Sequence, residues 1–390
     1  MRPIDAANQW LTVAAFFFAD GFLFGAWASR IPLLKNRLAL SEGEVGVMLL
    51  ILAAGGVAAM MTTPSLLKRF SPRTASSGIG VLISALFILP HFTPTVFSTA
   101  IAIFCFGACN GSLNVTANAD AAETEVNCGR SWMSGFHGIF SIGGLIGAVV
   151  SSLLIFDDVN SLAPVMVISF IGFTFFLPTF IVRPVERNNP SHSQSTCTNV
   201  CPTPLALLAA LAFVCLVSEG AMADWSALFM SESGAAIQFS SLGYGAFAAG
   251  MASLRFSGDW LTVRFGQTRL ISLGALIATA GLLAALLVMQ PIILLAGYFC
   301  VGAGLANVIP VLFRMAARSG ARTLALTTAF GYGGFLVGPV LVGGLAELTS
   351  LRTAMTVILA CCAMIVLLSR RLPAPLLQSG GLPSTDKGAG

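Results

Sequence analysis

Along the chain, runs of roughly 20 predominantly apolar residues alternate with short polar breaks. A helix rises about 1.5 Å per residue and the hydrocarbon of a bilayer is about 30 Å thick, so each such run is long enough to cross it. Twelve spans follow, at 9–31, 41–67, 73–91, 95–122, 132–155, 161–182, 203–230, 240–262, 268–289, 291–316, 322–347 and 351–369. The breaks carry turn or charge signals: Ile31-Pro32 before Lys35, Arg69 to Pro72, Asp157-Asp158, Arg183-Pro184, and Arg264 to Arg269. The first span contains Asp20 and runs into Arg30-Ile31-Pro32 with no small-residue cleavage site, so it reads as a retained span and not a signal peptide.

The longest polar interval, 184–202, reads as a flexible linker. It divides the chain into six spans (1–183) and six spans (203–372), followed by a Gly-, Ser- and Pro-rich tail (373–390) expected to be disordered. Short strings recur across that division. Phe104-Cys105-Phe106-Gly107-Ala108 returns as Phe299-Cys300-Val301-Gly302-Ala303, and Leu66 to Ser71 returns as Leu261 to Gly266, both displaced by 195 positions. Asp20-Gly21 and Glu219-Gly220 place an acidic residue in the first span of each half. Two parallel halves with a site between them near the midplane are one transporter architecture.

Composition agrees with lipid as the solvent. The 390 residues are 56% hydrophobic and 9% charged, with mean hydropathy +0.88, against about 25% charged in soluble domains. Net charge is only +4 and no basic run interleaved with aromatics occurs, which excludes nucleic acid as a partner. With both ends on one side, that side holds fifteen Lys and Arg, among them Lys68, Arg69, Arg73 and Arg264, whereas Arg30, Lys35, Arg37 and Arg352 fall on the other. The positive-inside rule then makes both termini cytoplasmic and the protein multi-pass.

Chemistry is sparse. Six of the nine cysteines lie in apolar runs, where Cys acts as a small hydrophobe, so no disulfide is assigned. Cys197, Cys201 and His192 do not complete a zinc site, and neither a metal nor a cofactor is expected. The chain has no GxxxxGK[ST], HExxH or GxSxG string, so nothing in it suggests an enzyme or an ATP-driven pump.

The informative residues are polar groups inside spans, where an ionisable side chain costs about 2.5–3.5 kcal/mol. Asp20, near the midplane with Phe24 and Trp27 on the same face, reads as a substrate-binding or proton-titrating carboxylate. Glu219 is its counterpart, and Asp224, about 140° away on the same helix, reads as a gate contact or a solvated group. Asn110, Asn114 and Asn118 form a stripe on one side of span 4 that suits a hydroxyl-rich or zwitterionic solute, and Asn307 lies near the corresponding register of span 10. His137 could relay protons. Arg30 is expected to snorkel to the headgroups, and Arg255 to pair with Asp259 one turn on. The glycine runs Gly143-Gly144-x-x-Gly147 and Gly333-Gly334-x-x-x-Gly338-Pro339 permit close helix approach.

The twelve-span plan and the basic loop Pro64-Ser65-Leu66-Leu67-Lys68-Arg69-Phe70-Ser71-Pro72-Arg73 resemble the major facilitator superfamily over almost the whole chain. Leu66, Arg69 and Arg73 match that family's Gly-x-Leu-Ala-Asp-Arg-x-Gly-Arg-Arg loop, whereas Lys68 replaces its Asp. The strings Trp27-Ala28-Ser29-Arg30-Ile31-Pro32, His137-Gly138-Ile139-Phe140-Ser141 and Glu219-Gly220-Ala221-Met222-Ala223-Asp224-Trp225 resemble the YbjJ-like branch of bacterial permeases, which includes the membrane protein MosC. The resemblance implies an all-α membrane protein of two pseudo-symmetric six-helix bundles, acting as a monomer by alternating access. It also places the protein in a bacterial inner membrane, and supplies fold and class only. From the residues themselves, Arg69, Arg73, Arg264 and Asp224 are expected to gate. Site residues would be Asp20, Trp27, Asn110, Asn114, Glu219 and Asn307, with Asp20, Glu219 and His137 coupling to protons. A small polar solute such as a polyol or amino sugar is the expected substrate, and an inositol-like amine falls in that class. An exporter of amphiphilic or toxic compounds is the alternative, and a non-transporting sensor or scaffold is an alternative of another class.

Overall fold

The computed structural model describes residues 3–155, 161–177 and 204–372, and all regular structure among them is helical. The order is α1 (Pro3–Ser29), α2 (Ile31–Leu38), α3 (Glu42–Leu66), α4 (Pro72–Leu86), a short 3-10 turn (Leu89–His91), α5 (Val96–Cys128), α6 (Met133–Leu153) and α7 (Leu162–Thr174). After the undescribed interval come α8 (Leu205–Glu232), α9 (Ile237–Ser240), α10 (Leu242–Arg255), α11 (Gly258–Phe265), α12 (Gln267–Val288), α13 (Pro291–Leu305), α14 (Val308–Arg318), α15 (Ala321–Leu348) and α16 (Leu351–Ser369). The proposed linker and tail, Asp157-Asp158, and the Cys197, Cys201 and His192 group lie outside the described residues.

Among the described residues, ten helices are long and apolar enough to cross a membrane. Two of the twelve expected spans differ. The sixth has 13 helical residues within its described part, and the eighth is divided at Phe256-Ser257 into α10 and α11. Helix starts follow local chemistry where they leave the apolar runs. Ser41 and Glu44 form a capping box at α3, Thr95 and Ser98 do the same at α5, and Ser71 and Ser350 cap α4 and α16. Large apolar side chains such as Phe97, Ile292, Leu287 and Leu367 stay exposed around the outside, as a lipid-facing surface requires.

Two packing patterns repeat. Within residues 3–177, α1 lies along α6, and α3 and α4 lie on α5. Within 204–372, α8 lies along α15, and α10 and α12 lie on α13. The α3–α5 crossing is so close that a Cβ on Gly55 would meet the Phe104 carbonyl, and one on Gly107 the Leu52 carbonyl. The α10–α13 crossing brings Gly250 to the Phe299 carbonyl and Gly302 to the Phe247 carbonyl. Each residue of the second crossing stands 195 positions after its counterpart in the first. The glycine runs behave as expected: Gly143 and Gly147 seat α6 against the α1 backbone, and Gly334 seats α15 against α8.

The two parts meet along two seams, α3 with α15 and α6 with α10. At the end carrying Lys35, its ammonium bonds Glu42 and, at 3.0 Å, Glu232 of α8, while the Gly43 N–H donates to Glu347 of α15 at 2.9 Å. Nearby, Ser152 donates to the Gln238 carbonyl at 2.6 Å. The opposite end carries Lys68, Arg69 and Arg73, and is called here the basic face.

Candidate functional site

The first half of the site comes from α1 and α5. Asp20 is 4% exposed, and a carboxyl removed from water requires hydrogen bonds. Asn110 supplies one, its Nδ2 donating to Asp20 Oδ1 at 2.8 Å. One turn further along α1, Phe24 meets the ring of Tyr244 on α10 edge-on, with centroids 5.8 Å apart. Tyr244 reaches the backbone of Gly144 on α6, where a Cβ would stand 2.9 Å from its hydroxyl. It lies within electrostatic reach of Arg255, Asp20, Asp224 and Glu219 together.

The second half comes from α8 and α10. Glu219 Oε2 stands 3.7 Å from Arg255 Nη2, and the Cys215 thiol lies 3.4 Å from Glu219 Oε1. Arg255 also reaches across the seam to α6. Its Nη1 donates to Ser141 Oγ at 3.0 Å and to the His137 carbonyl at 3.3 Å, while Ser134 Oγ donates to the Arg255 carbonyl at 2.9 Å. One guanidinium therefore ties the acid of one part to the backbone and hydroxyl of the other.

The expected residues separate into those brought together and those placed elsewhere. Asp20, Asn110 and Glu219 belong to this central cluster. Asn114 accepts from Asn118 Nδ2 through its backbone carbonyl at 2.7 Å, so Asn118 folds back along its own helix. His137 offers Arg255 its carbonyl and sets its ring edge-on to Phe17 at 5.2 Å. Trp27 lies inside the first part, packed on Phe106 at 5.5 Å and against His91 at 6.1 Å, away from the seams. Asn307 is likewise turned from a solute: its Nδ2 donates to the Leu254 carbonyl at 2.9 Å, and its Oδ1 occupies the space a Cβ on Gly258 would need. Asp224 is 7% exposed, which removes the solvated reading, and among the described residues it has no ion pair.

On the basic face, Arg73 is buried and grips Asp120 of α5 through two bonds of 3.2 Å, a pair within one part and not across the seams. Arg69 is exposed beside Lys68 and Gln9 on a cavity of about 250 Å³, and Arg264 is also exposed. Two further expectations are corrected. Arg30 does not snorkel, being 4% exposed. Arg255 does not pair with Asp259, because the chain breaks between them; Asp259 instead accepts from Arg314 at 2.5 Å. Tyr244, Ser141 and Cys215 went unremarked as site residues, although Ser141 closes a quoted string and Arg255 was the mid-span cation.

Comparison with known proteins identifies the family. The Major Facilitator Superfamily profile matches residues 10–323. An uncharacterized transporter of that type from Yersinia pestis is 30% identical over 369 residues, covering 92% of this chain and 94% of the relative. The membrane protein MosC of Rhizobium meliloti is 32% identical over 361 residues, covering 90% and 87%. Among solved structures, a variant of the nucleoside transporter NupG superposes with a TM-score of 0.72 at 12% identity, over 93% of this chain and 98% of that one. A bacterial homolog of the human lysosomal transporter Spinster, inward-facing and unoccupied, gives 0.67 at 14% identity, over 95% and 98%. The chain belongs to the major facilitator superfamily and is a multi-pass membrane transporter, not an enzyme.

Proposed function

We propose that this member of the major facilitator superfamily carries a small neutral or cationic polar solute across an inner membrane by alternating access of two six-helix halves, coupled to protons. Ten membrane-length helices support this reading, in which the short α7 and the divided α10–α11 are the remaining two of twelve crossings. The two packing patterns displaced by 195 positions support a duplicated bundle, residues 1–183 and 203–372. With the basic face cytoplasmic, the Lys35, Glu42 and Glu232 tie lies at the outer end, and this conformation is latched there.

The observation that carries the reading is the pairing of one acid inside a span of each half, Asp20 on Asn110 and Glu219 on Arg255, beside a guanidinium that spans the seam. Asp20 has no ion-pair cation among the described residues. A proton or a cationic group on the solute neutralises it. A proton on Glu219 releases Arg255 from its charge partner, and the bonds to Ser141 and His137 then govern whether the seam parts. Three acids within the spans, Asp20, Glu219 and Asp224, against one central arginine disfavour a multiply anionic solute, while the amides of Asn110 and Asn114 suit hydroxyls. Polyols, amino sugars, nucleosides and small organic cations are the panel to test.

Uptake and efflux by reconstituted vesicles, with and without a proton gradient, test the proposal. We expect the gradient to drive wild-type transport, and Asp20→Asn or Glu219→Gln to lose both gradient-driven accumulation and pH dependence. Full retention of pH dependence in both variants would sink the coupling scheme.

A further inference from the structure

Among the described residues, Arg30 is a cation buried without a counter-ion. It stands between α1 and α2, at the end opposite the basic face, 4% exposed. Its Nε and Nη1 are fully buried and have no hydrogen-bond partner, and no carboxylate among the described residues forms an ion pair with it. One turn earlier, the indole N–H of Trp27, 2% exposed, is also unpartnered. Both residues face His91: Trp27 sets its ring edge against the imidazole, and Arg30 interacts with it electrostatically. A small cavity of about 20 Å³ opens beside Arg30, lined also by Leu33, Leu34, Arg37, His91 and Ser161.

The other groups around this cavity do not supply the missing charge. The Arg37 guanidinium donates to the His91 carbonyl and, at 2.6 Å, to the Pro90 carbonyl, so it adds a second positive charge. His91 Nδ1 lies 3.0 Å from the Phe87 carbonyl, a contact that needs the proton on that nitrogen. An unpartnered buried ion is strongly destabilising, and each unmade buried N–H adds to that cost. A water molecule could accept from one or two of these donors but would leave the charge uncompensated.

We infer that Arg30 holds a small monovalent inorganic anion of chloride size in this cavity, inside the first half and away from the central cluster. The cavity has room for one or two water-sized groups, which suits a halide better than sulfate, phosphate or an organic carboxylate. The guanidinium supplies the charge, and the buried Leu33 and Leu34 line the same cavity. This inference does not depend on the proposed transport cycle.

The test is thermal unfolding of the purified full-length protein in detergent, at fixed pH and ionic strength, as sodium gluconate is replaced by sodium chloride or bromide. We expect the melting temperature to rise by a few degrees and to saturate with either halide, and sulfate to have no such effect. The rise should vanish in Arg30→Gln and weaken in Arg37→Gln, which removes the second positive charge lining the cavity. If Arg30→Gln fails to fold, the wild-type titration and Arg37→Gln still decide. Equal melting of the wild type in gluconate and chloride overturns the inference, as does a halide response unaltered in either variant. A response that emerges only after Asp157→Asn with Asp158→Asn overturns it too, by assigning the counter-charge to the chain itself.

Discussion

Each buried charge in this protein is interpretable only through the group that answers it. Arg73 and Asp120 are both buried and share two bonds, so removing one leaves the other as an uncompensated ion. Asp120→Asn should cost about 3–5 kcal/mol of stability, seen as a lower melting temperature in detergent. The apolar double variant Arg73→Met with Asp120→Leu should recover most of that loss. A single variant that melts like the wild type would show that the pair is not desolvated. Arg73 was legible because it matched a loop pattern, and Asp20 and Glu219 because acids are rare in apolar runs. Asp120 was not, since spacing along one helix carries no information about a partner on another. Arg255 was misread for a related reason: the i,i+4 rule assumes an unbroken helix, and the break at Phe256-Ser257 turns Asp259 away from it.

Helices rather than residues explain where Asn307 goes. The break between α10 and α11 releases the Leu254 carbonyl from the ladder, and Asn307, itself at the junction of α13 and α14, supplies the replacement donor. Asn307→Ala should leave that carbonyl with only the longer 3.3 Å bond from Ser257 Oγ, at about 1 kcal/mol. The expected readout is a lower melting temperature with substrate affinity unchanged; weakened affinity at undiminished stability would instead return Asn307 to the solute site. Most helices were legible within a few residues, because bilayer thickness imposes a length that composition reveals directly. The divided eighth span was not, because Arg255 to Asp259 still reads as one amphipathic stretch. The glycine crossings were only half visible: the Phe104 and Phe299 strings betrayed the repeat, but not that Gly107 and Gly302 lie against a neighbouring carbonyl.

For the molecule as a whole, the tie at Lys35 decides which end is held shut. Burial pulls the Lys35 ammonium down, but its bonds to Glu42 and Glu232 and their nearby charges outweigh that, and its affinity for protons ends above the usual lysine value. With the folded value above the unfolded one, the contribution is complete below about pH 10.4. It is lost as pH rises through the higher folded value. The latch therefore holds at neutral pH and fails only in alkali. Lys35→Met should lengthen the mean distance between spin labels on Asn36 and Gln238 at pH 7; an unchanged distance distribution would mean that the remaining ties, Gly43 to Glu347 and Ser152 to Gln238, keep this end closed. The two-part plan was legible at this scale from the repeated strings and the long polar interval. The seams were not, since which helix of one part meets which of the other is a property of assembly and leaves no mark on local periodicity.

One helix ties these scales together. With 33 residues, α5 runs about 50 Å, well beyond the hydrocarbon, and is a single uninterrupted rod. The amide touching Asp20 and the carboxylate gripping Arg73 sit on that rod ten positions apart, about 15 Å along its axis. Load arriving at the midplane acid is thereby delivered to the loop arginine with no intermediary, as through a strut, and a disturbance at the water's edge travels back by the same route.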